Sequence, residues 1–420
     1  MTHSFTLGMT YWPRPRAAGV AVLNSWGAYD LGAVREDLAH IAGLGCTWVH
    51  LDLRWAEVQP GQTRISTAVL HGLERGLEAV HAAGLQAHVG LMAGTLTGML
   101  QMPSWMVGYR NPQEALQARR LPPPPLLLAD QSYRHEPARD FYTDPDLRTA
   151  TRYLLRECIG NFASHPAIQV WQLGAGLGRV RRANSHLAAG HWWSDLVEQA
   201  RSLGAKRICG VLDGSDLMRT DSLRPAQIAR SGAEVALAVA PSPPPHVARP
   251  WEIGYPTLLH AVVAALLRAE GDTTPIRIMD LGLATEVGGQ AGWVSSHAYG
   301  HETYTFLADQ ERQAGFLEAA LRALWLAGAG GVELAGYADL PASLWGAAPA
   351  DRALPVRSWG LSSADGREKV AAAVVRRFAH AERGTPNGPP SMPVDPERYW
   401  RDPRAALLAI IADWIEAREA

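Results

Sequence analysis

The sequence predicts an α/β fold of the (β/α)8 type, a TIM barrel. A short apolar run recurs eight times along the 420 residues, and a segment with helical periodicity follows each run. Most runs are predominantly apolar, as expected of parallel strands that are buried on both faces. Eight βα units in series favour a closed barrel, whose functional side chains lie at the carboxyl ends of the strands.

The elements follow one another with recognisable boundaries. Asp30 and Ser66 precede amphipathic segments and are typical N-cap residues. Gly45, Gly84 and Gly204 follow the last periodic residue of a helix, which predicts a left-handed helix end. A final helix is predicted within 367–381. The predicted strands are 6–12, 47–53, 86–92, 167–173, 207–212, 235–240, 276–281 and 332–337.

Two proline-rich inserts interrupt the repeat, at 119–145 after the third strand and at 241–256 after the sixth. We expect both to lie over the barrel mouth, either as a rigid polyproline covering or as the wall of a substrate cleft. Residues 1–381 are predicted to form the barrel, and 382–420 a tail with one helix that packs on it.

Composition indicates a soluble globular protein. The chain is 47% hydrophobic and 19% charged, with a net charge of −2, so its overall charge does not favour nucleic acid or an anionic membrane as a partner. No signal peptide and no apolar run of roughly 18 residues is present, and a bacterial-type cytoplasm is the expected location. Cys46, Cys158 and Cys209 lie far apart and are expected to be buried thiols.

The segment "VWQLGAGLGRV" (170–180) places three glycines after the fourth strand. It reads G-x-G-x-G rather than G-x-G-x-x-G, and the basic residues Arg179, Arg181 and Arg182 come before any helix, so it does not match a dinucleotide loop. No cofactor is predicted. His297 and His301 have zinc-like spacing, but the intervening glycine and the neighbouring sequence indicate a loop, so no metal is predicted either.

Seven segments follow one another along the predicted barrel in a recognisable order. Two of the shortest are "GMTYWPR" at the first strand and "PIRIMDLGLAT" at the seventh. The full set is 8–14, 37–62, 84–106, 142–174, 275–285, 331–340 and 357–379. In this order the segments resemble the clan A glycoside hydrolases, in particular the family 5 cellulases and mannanases. The resemblance implies retaining glycosidase chemistry, in which an acid/base carboxyl and a nucleophilic carboxyl stand about 5 to 5.5 Å apart.

The functional positions of that family are altered in this sequence. The acid/base glutamate follows an asparagine in a W-x-L-G-N-E pattern, and these two positions are Ala175 and Gly176. The nucleophile position, in an E-F-G-like triplet, is Asp280. The expected arginine of the second strand is His50. The histidine and tyrosine after the sixth strand, and the sugar-stacking tryptophan of the eighth, fall respectively on Ala240, Ser242 and Ala335.

These substitutions predict a catalytically impaired protein, since loss of a general acid typically costs about 10²- to 10⁴-fold in rate. The favoured hypothesis is a carbohydrate-binding or regulatory pseudoenzyme. An active glycosidase would need Asp280 and a relocated acid within about 5.5 Å, or about 6.5 to 9.5 Å for an inverting enzyme. The possible relocated acids are Asp213, Glu252, Glu286, Glu333 and Asp339.

Fifteen tryptophans offer aromatic faces on which sugars could stack, although most are expected to be core anchors. A third hypothesis is a protein-interaction scaffold with an apolar, closed cleft; no particular protein partner is predicted. The residues expected to be available for a ligand are Trp12, Trp55, Trp105, Trp171, Gln172, Trp293 and Tyr337.

Overall fold

Eight parallel strands form a closed barrel in chain order, as predicted. The computed structural model describes residues 5–13, 26–96, 98–109, 112–120, 122–239, 254–286, 291–297, 300 and 302–419. Gly8 pairs with Trp48 on one side and with Glu333 on the other, which closes the barrel. The strands are β1 Thr6–Thr10, β2 Trp48–Asp52, β3 Gln86–Leu91, β4 Ile168–Leu173, β5 Ile208–Asp213, β6 Glu234–Ala238, β7 Ile276–Leu281 and β8 Gly331–Leu334.

A helix follows each strand, and the predicted helix boundaries are confirmed. The Asp30 side chain accepts hydrogen bonds from the amides of Gly32 and Ala33, and Ser66 accepts one from Val69. Gly45, Gly84 and Gly204 all have positive φ angles. The helices are α1 Leu31–Gly43, α2 Thr67–Ala82, α3 Pro145–Phe162, α4 His186–Ser202, α5 Pro225–Arg230, α6 Tyr255–Ala269, α7 Gln310–Leu326 and α8 Val370–His380.

Shorter elements decorate the loops at the carboxyl ends of the strands. Three small antiparallel hairpins pair Thr95–Leu96 with Met99–Leu100, Leu126–Leu127 with Tyr133–Arg134, and Gly292–Ser296 with Thr303–Leu307. Short helices span Trp55–Val58, Pro112–Arg120 and Leu177–Val180, and 3₁₀ turns span Ser104–Met106, Asp216–Met218, Ala342–Leu344 and Leu354–Arg357.

The interior of the barrel is divided into an apolar half and a polar half. Strands β4 to β7 contribute a small cluster of buried apolar side chains that is separate from the main core between strands and helices: Val170, Cys209, Val211, Ala236 and Met279. The remaining interior positions carry buried polar groups, chiefly Thr10, His50, His88, Gln172, Arg277 and Glu333. Buried polar groups cost stability unless they are paired, so this half is built around hydrogen bonds.

The amino-terminal end of the barrel is closed by a stack of side chains. The Trp48 ring lies parallel to the His88 ring at 3.8 Å, and the Arg277 guanidinium lies 5.2 Å from the Trp48 ring centre. Arg277 Nη2 donates to Glu234 Oε2 at 2.7 Å. Gly8 makes room for this stack, because a Cβ at this position would lie 2.1 Å from Trp48 ring atoms.

The first proline-rich insert contacts the loop after β8. Tyr133 donates a hydrogen bond to Asp351 at 2.7 Å, and the Arg352 guanidinium lies 3.7 Å from the Tyr133 ring centre. No described residue of 119–145 lines the pocket at the barrel mouth. The second insert lies outside the described residues except for 254–256, where α6 begins.

The tail contains two helices rather than the single helix predicted, α9 Pro396–Arg401 and α10 Pro403–Glu419, with Asp402 between them. It contacts the barrel through Tyr399, which donates to the Leu217 carbonyl at 2.8 Å, and through Trp400, which lies 4.7 Å from the Arg224 guanidinium. The three cysteines are free and buried, as expected. None of the helices in the described part of the chain is long and apolar enough to cross a bilayer.

Replacing Gly8 by alanine is expected to destabilise the fold by about 1 to 3 kcal/mol, because the added methyl group would collide with the Trp48 ring. Urea denaturation measures the change. Gly315→Ala is the matched control, since nothing lies within 4 Å of its Cβ position on α7 and alanine favours a helix. Equal stability of the two variants would contradict this packing.

Candidate active site

A small pocket opens where the strands end, the position at which barrel proteins carry their functional groups. Its volume is about 80 Å³, smaller than the roughly 300–1,000 Å³ of most small-molecule sites. The described pocket therefore admits only one end of a larger ligand. Its wall includes Thr10, Trp12, His50, Asp52, Thr95, Gln172, Ala175, Gly176, Arg179, Asp213, Asp280 and Trp359.

Beneath the pocket lies a fully buried carboxyl, Glu333 of β8. Its Oε1 accepts hydrogen bonds from Thr10 Oγ1 at 2.6 Å and from His50 Nδ1 at 3.0 Å, while Oε2 is buried without a hydrogen-bond partner. Burial alone would lower the pKa of His50, but Glu333, with Asp52 and Asp280, raises it to about 9. His50 is therefore charged at neutral pH and forms an ion pair with Glu333.

The charge on His50 also fixes the orientation of Gln172. The closest approach of these side chains is 3.3 Å, between the Nε2 atoms of both residues. A charged histidine donates from both ring nitrogens, and two donors cannot share a hydrogen bond. The Gln172 amide must therefore present its oxygen to His50, which leaves its NH₂ group free to donate elsewhere.

Asp280 lies in a β-bulge of β7. Ile278 pairs with Val332 and Leu281 pairs with Leu334, so β7 has one more residue than β8 between these pairs. Asp280 has a φ of 57°, a left-handed conformation that is uncommon outside glycine and recurs at functional sites. Burial and the nearby Glu333 carboxylate raise its pKa to about 7. Asp280 is therefore partly protonated near neutral pH.

The pKa of Asp213, at the end of β5, is shifted in the opposite direction from that of Asp280. Burial would raise its pKa, but Arg179 Nε, which donates at 2.5 Å, and the Ser215 amide and hydroxyl, which both donate at 2.6 Å, hold it below its usual value. The neighbouring Asp216 has a pKa raised to about 7 by burial and by Asp213. Asp213 is thus ionised, and both of its oxygens are engaged.

The loop after β4 leaves no room for a side chain at Gly176. This residue has a φ of 68°, and a Cβ there would lie 2.5 Å from both Cγ2 and Oγ1 of Thr95. The Ala175 carbonyl accepts a hydrogen bond from the Gly94 amide at 2.8 Å, which joins the loop to the segment after β3. At the position where the family resemblance expects a glutamate, the backbone and Thr95 together exclude one.

The structure brings only part of the predicted site together. Trp12, His50, Gln172, Ala175, Gly176 and Asp280 line the pocket, whereas Ala335 is buried outside it. Of the possible relocated acids, Asp213 lines the wall and Glu333 lies beneath it. Asp339 is paired with Lys369 at 2.7 Å, and neither Asp339 nor Glu286 lines the pocket. Ala240, Ser242 and Glu252 lie outside the described residues.

Most of the aromatic residues expected at the mouth are structural instead. Trp55 and Trp171 are buried in the main core, and the Tyr337 hydroxyl lies 2.8 Å from His40 Nδ1. Trp105 donates to the Gln59 carbonyl, and Trp293 is 45% exposed on a hairpin and is not among the residues that line the pocket. The expectation that these five side chains line the site is therefore not met.

Sequence reasoning missed several residues of the pocket wall, among them Asp52, Thr95 and Trp359. Trp359 lies 6.2 Å from Trp12, measured between ring centroids. It falls in the motif "RSWG" after the eighth strand, which could have indicated it. Asp52 stands two residues after His50 on the same face of β2, so strand alternation could have indicated it as well.

No group of three histidine, cysteine or carboxylate side chains in the described ranges is arranged to hold a metal ion. The segment around His297, which has zinc-like spacing, lies only partly within those ranges, because 298–299 and 301 are outside them. The structure therefore does not test, at that segment, the prediction that no metal binds.

The fold is that of glycoside hydrolases. A variant of GH5_18 from Streptomyces cattleya in complex with Manβ1-4GlcNAc superposes with a TM-score of 0.68 at 20% identity, over 91% of this chain and 83% of that one. GH5_18 from Bifidobacterium longum subsp. longum superposes with a TM-score of 0.69 at 18% identity, over 93% of this chain and 82% of that one. An exo-β-1,4-mannosidase from Opitutaceae bacterium strain TAV5 superposes with a TM-score of 0.61 at 17% identity, over 89% of this chain and 59% of that one.

The predicted resemblance in fold to family 5 glycoside hydrolases is confirmed by these structures. No protein-family model matches the sequence, and no curated protein matches it significantly.

Asp280→Asn is expected to stabilise the protein at pH 8 by at least about 1 kcal/mol and to have little effect at pH 4. The pKa of Asp280 is raised from 3.8 to about 7, so the folded state binds this proton more tightly than the unfolded chain does. The stabilisation from this proton is complete below about pH 4 and is lost as the pH rises through about 7.

Urea denaturation of the wild type and the variant at both pH values measures this effect. Asp413→Asn, an exposed substitution on α10, is the control and is expected to change neither value. A stabilisation of equal size at pH 4 and pH 8 would mean that Asp280 does not titrate in this range.

Proposed function

We propose that this protein is a carbohydrate-binding pseudoenzyme built on a glycoside hydrolase barrel. The observation that carries the proposal is the closed space at Gly176, where Thr95 and a left-handed backbone exclude the acid/base side chain. Retaining hydrolysis of an unactivated glycoside needs a proton donor at the leaving oxygen. Without a carboxyl on that loop, binding is retained while hydrolysis is lost.

Two features of the pocket support a sugar as the ligand. Trp12 and Trp359 form an aromatic wall whose rings are inclined by 53° to each other, and aromatic faces pack against the C–H faces of sugars. His50, Gln172 and Asp280 supply polar groups to the same pocket, suited to hydroxyl groups. The narrow pocket fits the terminal ring of an oligosaccharide better than the middle of a polysaccharide chain.

The first ligand class to consider is a β-mannoside. The Streptomyces cattleya structure with the same fold holds Manβ1-4GlcNAc. At 20% identity this likeness transfers no specificity to our chain, so Manβ1-4GlcNAc serves as a starting probe beside glucose- and galactose-based disaccharides of equal size.

An active glycosidase is the second candidate, and one observation favours it. Asp280, with a pKa of about 7, could donate a proton, while Asp213 stays ionised. Carboxyl groups with separated pKa values are the usual arrangement for acid and base roles. However, Asp213 is already engaged by Arg179 and Ser215. This alternative requires turnover that depends on both aspartates and declines as the pH rises above about 7.

Trp12→Ala and Trp359→Ala are each expected to weaken binding of the disaccharide that binds best by about tenfold, the effect of roughly 1.4 kcal/mol of lost stacking. Isothermal titration calorimetry with the disaccharide panel measures the dissociation constants. Trp293→Ala is the matched control, because this tryptophan is exposed and lies outside the pocket.

Binding that is unchanged in Trp12→Ala and Trp359→Ala would place the sugar elsewhere on the protein. Absence of binding across the panel would contradict the proposed carbohydrate function.

A further inference from the structure

A second, larger cavity lies at the opposite end of the barrel from the candidate active site. It is enclosed by Phe5 before β1, by α6, by 272–276 before β7, by the end of α7 and by tail residues 383–389. Its volume is about 630 Å³, within the range of small-molecule binding sites. No part of the proposed carbohydrate function uses this cavity.

His260 of α6 lines the cavity and carries an unsatisfied polar atom. Its side chain is 1% exposed, and Nδ1 is buried without a hydrogen-bond partner. Burial lowers the pKa of His260 to about 4, so the ring is neutral. Buried polar atoms are almost always paired, and leaving one unpaired costs about 1–3 kcal/mol. Nδ1 is therefore a polar atom beside the cavity that no described residue satisfies.

The cavity also contains a guanidinium that has no acidic partner. Arg383 donates to the Phe378 carbonyl at 2.5 Å and lies 4.9 Å from the Phe378 ring centre. No carboxylate among the described residues forms an ion pair with Arg383, and burial lowers its pKa. A half-buried cation of this kind is stabilised by a bound anion.

Together with Arg383, the charged groups that line the cavity carry a net charge of +1. Arg268 is the second cation, and its Nη2 donates to the Pro390 carbonyl at 3.2 Å. Asp272 is the carboxylate of the lining, and its Oδ1 accepts a hydrogen bond from the Thr274 amide at 2.7 Å. Leu267, Ile276 and Trp325 provide apolar wall between these groups.

We propose that this cavity binds a small organic anion with an apolar body. Its acidic group pairs with Arg383 and Arg268, its apolar body packs against Trp325 and Leu267, and a polar atom of the ligand reaches His260. A carboxylate and a phosphate monoester share this chemistry, and the experiment below separates them.

Such a ligand would bridge the barrel and the tail. Tail residues 383–389 form one wall, and the amide of Asn387 donates to the Leu326 carbonyl at 2.8 Å, at the end of α7. A ligand held by Arg383 on the tail and His260 on the barrel favours the docked tail by mass action. Binding is therefore expected to slow hydrogen exchange in 383–389.

The test is calorimetric titration of the full chain with phenylacetate and phenyl phosphate, each compared with an uncharged analogue, phenylacetamide or phenol. At least one anion is expected to bind about tenfold or more tightly than its analogue. Arg383→Gln and Arg268→Gln are each expected to reduce this preference several-fold. Arg377→Gln is the control, since its weak pair with Glu318 is exposed and lies outside the cavity.

Two results would overturn the proposal: no saturable binding of either anion, or a preference that both cavity variants retain. If either variant disturbs the tail, which Arg268 also contacts through the Pro390 carbonyl, the preference of the wild type for an anion over its uncharged analogue still decides. Slower exchange in 383–389 with the anion, but not with its analogue, would place the ligand in this cavity.

Discussion

The mouth of this barrel depends on one buried ion pair, between Glu333 and His50. Glu333 also accepts a hydrogen bond from Thr10, so a single carboxylate links β8, β1 and β2 where the barrel closes. Buried pairs are expensive to form, and removing one partner leaves an uncompensated charge, which costs more. The same carboxylate raises the pKa values of His50 and Asp280. Glu333 therefore contributes both to the closure of the barrel and to the electrostatics of the pocket.

Two local backbone features determine which side chains stand at the two positions that the family resemblance makes catalytic. The bulge in β7 gives Asp280 a left-handed conformation at the pocket wall. The loop after β4 has a left-handed conformation at Gly176, with Thr95 against it. Of the two positions that the family resemblance makes catalytic, Asp280 thus retains a carboxyl and Gly176 is physically closed, which supports the proposed carbohydrate-binding pseudoenzyme.

Sequence alone predicted the strands to within a few residues, because runs such as 86–92 and 276–281 are mostly apolar and are followed within two residues by a glycine. It failed for Trp171, which alternates with the inward-facing Gln172 and must therefore face the helices. Trp359 reaches the pocket on a loop, and Thr95 meets Gly176 across two loops. The contact between Thr95 and Gly176 depends on tertiary packing, which no local pattern encodes.

The central claim is that the barrel mouth binds sugars without hydrolysing them, and turnover tests it most directly. Release of product from aryl β-glycosides and from soluble β-glucans and mannans would be measured at high protein concentration, for the wild type and for Asp280→Ala. The account predicts no turnover above background by either protein. Turnover by the wild type that Asp280→Ala abolishes would contradict it and would establish a glycosidase that depends on Asp280.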